Sequence, residues 1–255
     1  IRMEGETFGG VPLNLELKNP GGEFVDMDIS LSLREPVQVI VGPNEDGKTN
    51  LEIALGQAVI LSQTIGHGPY QSYRAPLFGK LQMAGAFRSN SKRDFLLSSF
   101  AENIDSVAKA VRASQYTNDK VLLLLDEPGR GTNPTHGGNL LCALAEDLAE
   151  RKIFSLITTH FPQSGSLAGV PGIKLTHSTI RELPDGAIEL LYKIEPGFKV
   201  SDGIASARAR GLPADFIRLA EAIKANPKAN VFELPAFQEL DRELAVRKLL
   251  QLLEN

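Results

Sequence analysis

A chain of 255 residues, 42% hydrophobic and 23% charged, can bury one large α/β core with a small appendage and is too apolar to be disordered. Its net charge of −4 and pI near 5.7 exclude a surface built to wrap DNA or coat an anionic membrane, so any nucleic acid is expected to find its main contacts elsewhere. A single cysteine, Cys142, excludes an internal disulfide and suits a reducing compartment, cytoplasmic or nuclear.

The first thirty-odd residues are rich in Gly and Pro, and the alternating runs Pro12–Leu17 and Met27–Leu33 predict antiparallel strands turning at 19–22. Pro36–Val41 reads as a buried strand. A helix follows from Lys48 to Gln63, apolar at Leu51, Ile53, Leu55, Ala58 and Val59. A strand is predicted around Pro76–Met83 and a helix from Phe95 to Ser114. Val121–Leu125 shows no alternation, as expected of a strand covered by helices on both faces. A helix over Gly137–Arg151, with Cys142 as a buried residue on one face, leads into another buried strand over Ile153–Thr158. This recurring strand–helix–strand order predicts a mixed sheet with a parallel core flanked by helices.

Strands at 173–175, 179–183 and 187–194 are expected next, broken by a hairpin turn at Pro184-Asp185-Gly186, with helices from Asp202 punctuated by Gly211-Leu212-Pro213. Phe237, Leu240, Leu244, Leu249 and Leu253 fall at helical spacing and mark 226–255 as a helical extension of a domain covering 1–225. No stretch is long or apolar enough to span a bilayer, and the four histidines lack metal-site spacing. The opening Ile1-Arg2-Met3 leads us to expect a fragment of something longer.

Two motifs carry chemistry. Gly42-Pro43-Asn44-Glu45-Asp46-Gly47-Lys48-Thr49 fits the phosphate-loop pattern G-x-x-x-x-G-K-[ST] directly after a strand, and Asp126-Glu127 ends the run Val121–Leu125. The glycines let successive N–H groups turn toward phosphates, and the helix beginning at Lys48 adds its positive end. Lys48 can reach the β- and γ-phosphates, Thr49 and Asp126 are suited to Mg²⁺, and Glu127 is placed to polarise an attacking water. Asn50, beside Thr49, is counted with the nucleotide-binding residues. Magnesium-dependent binding and hydrolysis of ATP is therefore expected. Glu45 and Asp46 add negative charge near phosphate and are expected to weaken affinity. His160, after Thr158-Thr159, stands where ABC-type ATPases place a histidine that senses the γ-phosphate. Leu-Ser-Gly-Gly-Gln is absent, which excludes the usual transporter ATPase.

The segment Asp126-Glu127-Pro128-Gly129-Arg130-Gly131-Thr132 resembles the Asp-Glu-x-Gly-x-Gly-Thr of the MutS family. The 42–49 loop resembles that family's Gly-Pro-Asn-Met-Gly-Gly-Lys-Ser/Thr except at Glu45 and Asp46. Ser98-Ser99-Phe100 is similar to its Ser-Thr-Phe signature, and Pro196-Gly197, Asp202-Gly203-Ile204-Ala205 and Gly211-Leu212-Pro213 to its C-terminal motifs. The resemblance implies a phosphate-loop ATPase of ABC type that works as a homodimer or heterodimer of ATPase domains, with Ser98 and Ser99 touching the γ-phosphate of the partner's nucleotide. It also implies that adenine stacks between Phe24 and Tyr192. DNA is the implied partner, through regions outside this segment; a protein client remodelled by the same engine is the alternative. The sequence lacks the Met-x-Glu that follows the signature in the mismatch-recognising branch, reading Ala101-Glu102-Asn103 instead. Thr132-Asn133-Pro134 and Thr159-His160-Phe161-Pro162 are closer to the branch with Gly-Thr-Asp-Pro and Thr-Thr-His-Tyr-Pro.

Overall fold

The computed structural model describes residues 15–18, 24–27, 29–43, 47–68, 73, 75–85, 99–115, 120–182, 188–199, 203–209 and 211–227. A two-stranded antiparallel sheet pairs β1 (Leu15–Lys18) with β2 (Phe24–Met27), Leu15 opposite Met27. The alternation beyond Met27 predicted more strand. Instead Ile29 and Leu31 lie outside any strand and are fully buried, so their apolar side chains serve packing and not a ladder.

The main sheet runs in the order β4 (Lys80–Gly85), β5 (Val121–Asp126), β6 (Phe154–Thr159), β3 (Val37–Val41), β7 (Ile173–Glu182), β8 (Ile188–Pro196). All pairings from β4 through β7 are parallel. The fold is thus mixed α/β with a mostly parallel sheet. Every residue of β3, β5 and β6 is buried, which is why these runs show no polar alternation. Successive residues still serve opposite faces. Leu122 and Leu124 join Leu51, Leu55, Ala58 and Val59 of α1 (Lys48–Ile65) on one face. Leu123 and Leu125 join Leu141, Ala145 and Leu148 of α3 (Pro134–Glu150) and Val107 and Ala110 of α2 (Ser99–Gln115) on the other.

Several boundaries differ from the sequence reading for physical reasons. β4 begins at Lys80, not near Pro76; the segment before it is irregular and buries Phe78 edge-on to Phe154. α3 begins at Pro134, three residues before Gly137, because Asn133 caps it by accepting from the Thr135 amide at 2.9 Å and Pro134 occupies the first turn. β7 is one continuous strand where two were expected. Cys142 is only half-buried, its thiol donating to the Gln163 carbonyl at 3.4 Å, and burial raises its pKa. The 184–186 turn, the start of the helix predicted from Phe95 and the whole 228–255 segment lie outside the described residues.

The chain divides into two compact units. The first takes residues 1–179 and 191–201 and holds the main sheet's core. The second takes 180–190 and 202–255, in which α4 (Gly203–Ala209) and α5 (Ala214–Ala225) are joined by a hydrogen-bonded ion pair between Arg208 and Glu221. No described helix is long and apolar enough to cross a membrane.

Within the first unit, the turn after β5 presses against α3. Gly129, with φ +89, packs so closely on Gly137 that a Cβ on Gly137 would meet the Gly129 carbonyl oxygen at 2.6 Å and the Phe161 ring at 2.8 Å. Gly137→Ala is expected to cost about 1–3 kcal/mol by overpacking. Urea unfolding checks this: a midpoint equal to that of the parent chain would show that the turn and helix separate without penalty.

Candidate functional site

Three adjacent strands end at one edge of the sheet: β5 at Asp126, β6 at Thr159 and β3 at Val41. In parallel α/β sheets ligands collect outside the carboxyl ends of the strands, where the following residues converge. The Gly42 amide donates to the Thr159 carbonyl at 3.0 Å and fixes the start of the 42–49 loop to β6. Gly47, left-handed at φ 89, then starts α1, leaving that helix's first amides without intrahelical acceptors.

Lys48 is buried, 6% exposed, and its ammonium bends back to donate to the Gly42 carbonyl at 3.0 Å and to that of Pro43. Buried side chains of this type seek acceptors, and the loop's own carbonyls supply them. The Thr49 hydroxyl donates to the Asp126 carboxylate at 3.1 and 3.2 Å, joining α1 to β5. Thr158, at the end of β6, donates to the same carboxylate at 2.8 Å. Burial pushes the Asp126 pKa above its usual value, and the neighbouring Glu127 charge adds to this; the two hydroxyls and Lys48 offset only part.

A hydroxyl and a buried carboxylate side by side are hard oxygen ligands of the kind magnesium takes one or two at a time. Among the described residues no group of three or more His, Cys, Asp or Glu is placed to hold a metal ion.

Glu127 is 6% exposed and held from two sides. His160 Nδ1 lies 2.9 Å from one carboxylate oxygen and Arg130 Nη1 donates to the other at 3.0 Å. Burial alone would raise its pKa, but the His160 hydrogen bond and charge, then Arg130 and Lys48, outweigh burial and hold it below the usual value. The result is a buried, ionised carboxylate just beyond the carboxyl end of β5. Its backbone is left-handed, φ 47, which in a residue with a side chain costs about 1–3 kcal/mol and persists only where the surroundings impose it.

The residues expected to act together do meet: Gly42, Pro43, Gly47, Lys48, Thr49, Asp126, Glu127 and His160 share this edge, and Asn50 follows Thr49 as an exposed residue in the first turn of α1. Asn44, Glu45, Asp46 and Ser98 lie outside the described residues. Phe24 in β2, Ser99 at the start of α2 and Tyr192 in β8 are placed by their backbones alone.

The sequence reading passed over four residues. Thr158 is a hydroxyl near the carboxyl end of β6, and Arg130 sits inside the glycine-rich turn; both carried a signal in their type and place. Asn103 of α2 reaches the Glu127 turn, which only the three-dimensional packing reveals. Glu52 was not singled out, because the sequence reading counted Ile53 and not Glu52 among the residues that make the helix apolar. In fact Ile53 is 37% exposed and Glu52 fully buried, one turn after Lys48. No well-formed hydrogen bond reaches either Glu52 oxygen, although the Thr158 hydroxyl, which donates to Asp126, and the Thr158 amide lie near enough to favour its charged form in part. Burial, then the Asp126 charge, push the Glu52 pKa well above its ordinary value.

Comparison with known proteins identifies the family. The family model for MutS domain V matches residues 38–227. The DNA mismatch repair protein MutS of Streptococcus gordonii is 30% identical over 203 residues, covering 78% of this chain and 23% of the relative. Those of Fervidobacterium nodosum and Thermus aquaticus are each 29% identical over 79% of this chain and 24% of their own length. The chain therefore spans about a quarter of the length of the relatives it matches. With a domain-V match running through the 42–49 loop, Asp126-Glu127 and His160, this chain belongs to the MutS family.

Proposed function

We propose that this chain is an ABC-type phosphate-loop ATPase that binds ATP with magnesium and hydrolyses it, driving nucleotide-controlled switching of a dimer in a MutS-like DNA repair or recombination protein. The observation that carries this reading is the junction of α1 and β5: the Thr49 hydroxyl on the buried Asp126 carboxylate, with ionised Glu127 next in sequence. Thr49 and Asp126 would hold magnesium, which when bound neutralises phosphate charge. Lys48 exchanges the Gly42 and Pro43 carbonyls for phosphate oxygens, and the loop amides add donors around them. Glu127 orients the attacking water and takes its proton; His160 holds that carboxylate in place and would sense the terminal phosphate.

The remaining roles are inferred from family resemblance. Phe24 and Tyr192 would sandwich adenine. Ser98 and Ser99 would close over the terminal phosphate of the partner's nucleotide, so that two ATPase domains, alike or different, form complete sites together. The domain is taken to end near 225, with 226–255 as a helical extension. The similar proteins are named for DNA mismatch repair, which favours DNA as the effector through regions outside this segment. Phosphate release by the purified chain is expected to require magnesium, and turnover of the full-length protein to rise with DNA. Stimulation by a protein client alone would instead favour a chaperone-like engine, and no release under any condition would reduce the domain to a scaffold.

A further inference from the structure

The Glu127 turn is held by a residue on a different element, and this points to a role that the site description leaves open. Asn103 lies one turn into α2 and is 5% exposed. Its Nδ2 donates to the Glu127 carbonyl at 3.2 Å, and its Oδ1 accepts from the Gly129 amide at 2.8 Å. The two bonds grip both ends of the dipeptide step that follows Glu127. That step bears the left-handed Glu127, φ 47, and Gly129, φ +89. The Arg130 amide closes the same turn by donating to the Glu127 carbonyl, and the Glu127 amide donates to Thr158.

A planar amide presents a donor and an acceptor side by side at this spacing without having to take up a proton. An aspartate would keep the acceptor and lose the donor; an aliphatic side chain would lose both and leave a buried carbonyl and amide short of partners. A non-glycine residue does not settle in left-handed backbone unaided, so the peptide bearing the carboxylate depends on what clamps it. α2 is itself tied to the neighbouring strand end, where the Gly85 amide donates to Ser106 Oγ at 3.0 Å.

We propose that Asn103 is a positioning residue for hydrolysis: from α2 it locks the Glu127 turn, so that the carboxylate meets His160 and Arg130 and faces the attacking water. The proposal rests on Glu127 being the base. Asn103 bonds the backbone of the turn, so it acts on the chemical step while leaving binding alone. A displacement of a catalytic group by about 1 Å costs on the order of 10²-fold in rate, which sets the scale of the effect.

The test measures ATP affinity with magnesium and single-turnover hydrolysis for Asn103→Ala, Glu127→Gln and the double variant. Asn103→Ala is expected to bind ATP within about twofold of the parent chain and to hydrolyse it about 10–100-fold more slowly. In the Glu127→Gln background the same substitution is expected to cost nothing further, because its effect passes through that carboxylate. Asn103→Gln keeps the amide but shifts it by one methylene, and falls between; it also carries the test if the alanine variant does not fold. Loss of affinity and rate together, or an equal fold-loss with and without Glu127, would overturn the proposal and leave Asn103 a packing residue. If Glu127→Gln alone hydrolyses at the parent rate, the base assignment fails and takes the proposal with it. If Glu127→Gln is slow and Asn103→Ala fast, only the proposal fails.

Discussion

Glu127→Gln is expected to bind ATP as tightly as the parent chain and to hydrolyse it about 10²–10⁴-fold more slowly, the range a positioned general base supplies. The substitution keeps the shape and one of the two oxygens, so Arg130 retains an acceptor while the new amide NH2 faces the His160 ring nitrogen. What disappears is the negative charge that accepts the proton. That charge is secure at neutral pH, because His160, Arg130 and Lys48 together overcome burial and hold the Glu127 pKa below 4.5. The sign for stability follows. The pair contributes fully above the unfolded carboxylate value, near 4.5, and is lost as pH falls through the lower folded value. The hydrolytic rate should therefore stay flat with pH down to the weakly acidic range as far as Glu127 is concerned. Single-turnover quench-flow checks the substitution, and an unchanged rate would move the base elsewhere.

Glu52→Leu is expected to make the chain more stable. A buried carboxyl with no well-formed hydrogen bond costs about 1–3 kcal/mol, and a leucine of similar size would sit beside Leu51 on α1 without that cost. For a chain of this length each kcal/mol moves the melting midpoint by roughly 2–4 °C. The pH dependence has a definite sign. The folded chain keeps a proton on Glu52 where the unfolded chain, with a value near 4.5, has lost it. Stability thus falls as pH rises from that value toward the raised folded one. The gain from the leucine variant should widen over the same interval, as differential scanning calorimetry across pH would show. A lower midpoint at neutral pH would mean that the carboxyl is held by a partner after all.

Which parts of this were legible in the sequence follows from where the information lies. The unbroken apolar run of β5 announced a doubly covered sheet, and the ordered motifs at the strand ends announced the site, because both signals are local. Elements whose ends are set by packing were displaced. Phe78 is apolar because it fills the core beside Phe154, and so it mimicked strand in front of Lys80. Ile29 and Leu31 misled in the same way. Helical spacing alone could not choose between Glu52 and Ile53, since adjacent residues on α1 differ by about 100° and polarity suggested the wrong one. The Asn103 clamp joins residues far apart in sequence, and no local pattern could mark it.

The central claim is that Lys48, Thr49 and Asp126 form one site for a magnesium-bound triphosphate. Titration of a fluorescent ATP analogue, with and without magnesium, against the parent chain and Lys48→Ala tests it most directly. Loss of a charge-assisted contact to phosphate is worth about 1.5–3 kcal/mol, so the parent chain should bind roughly 10–100-fold more tightly than the variant and should depend on magnesium. Equal affinity in the two proteins, indifferent to magnesium, would contradict the account.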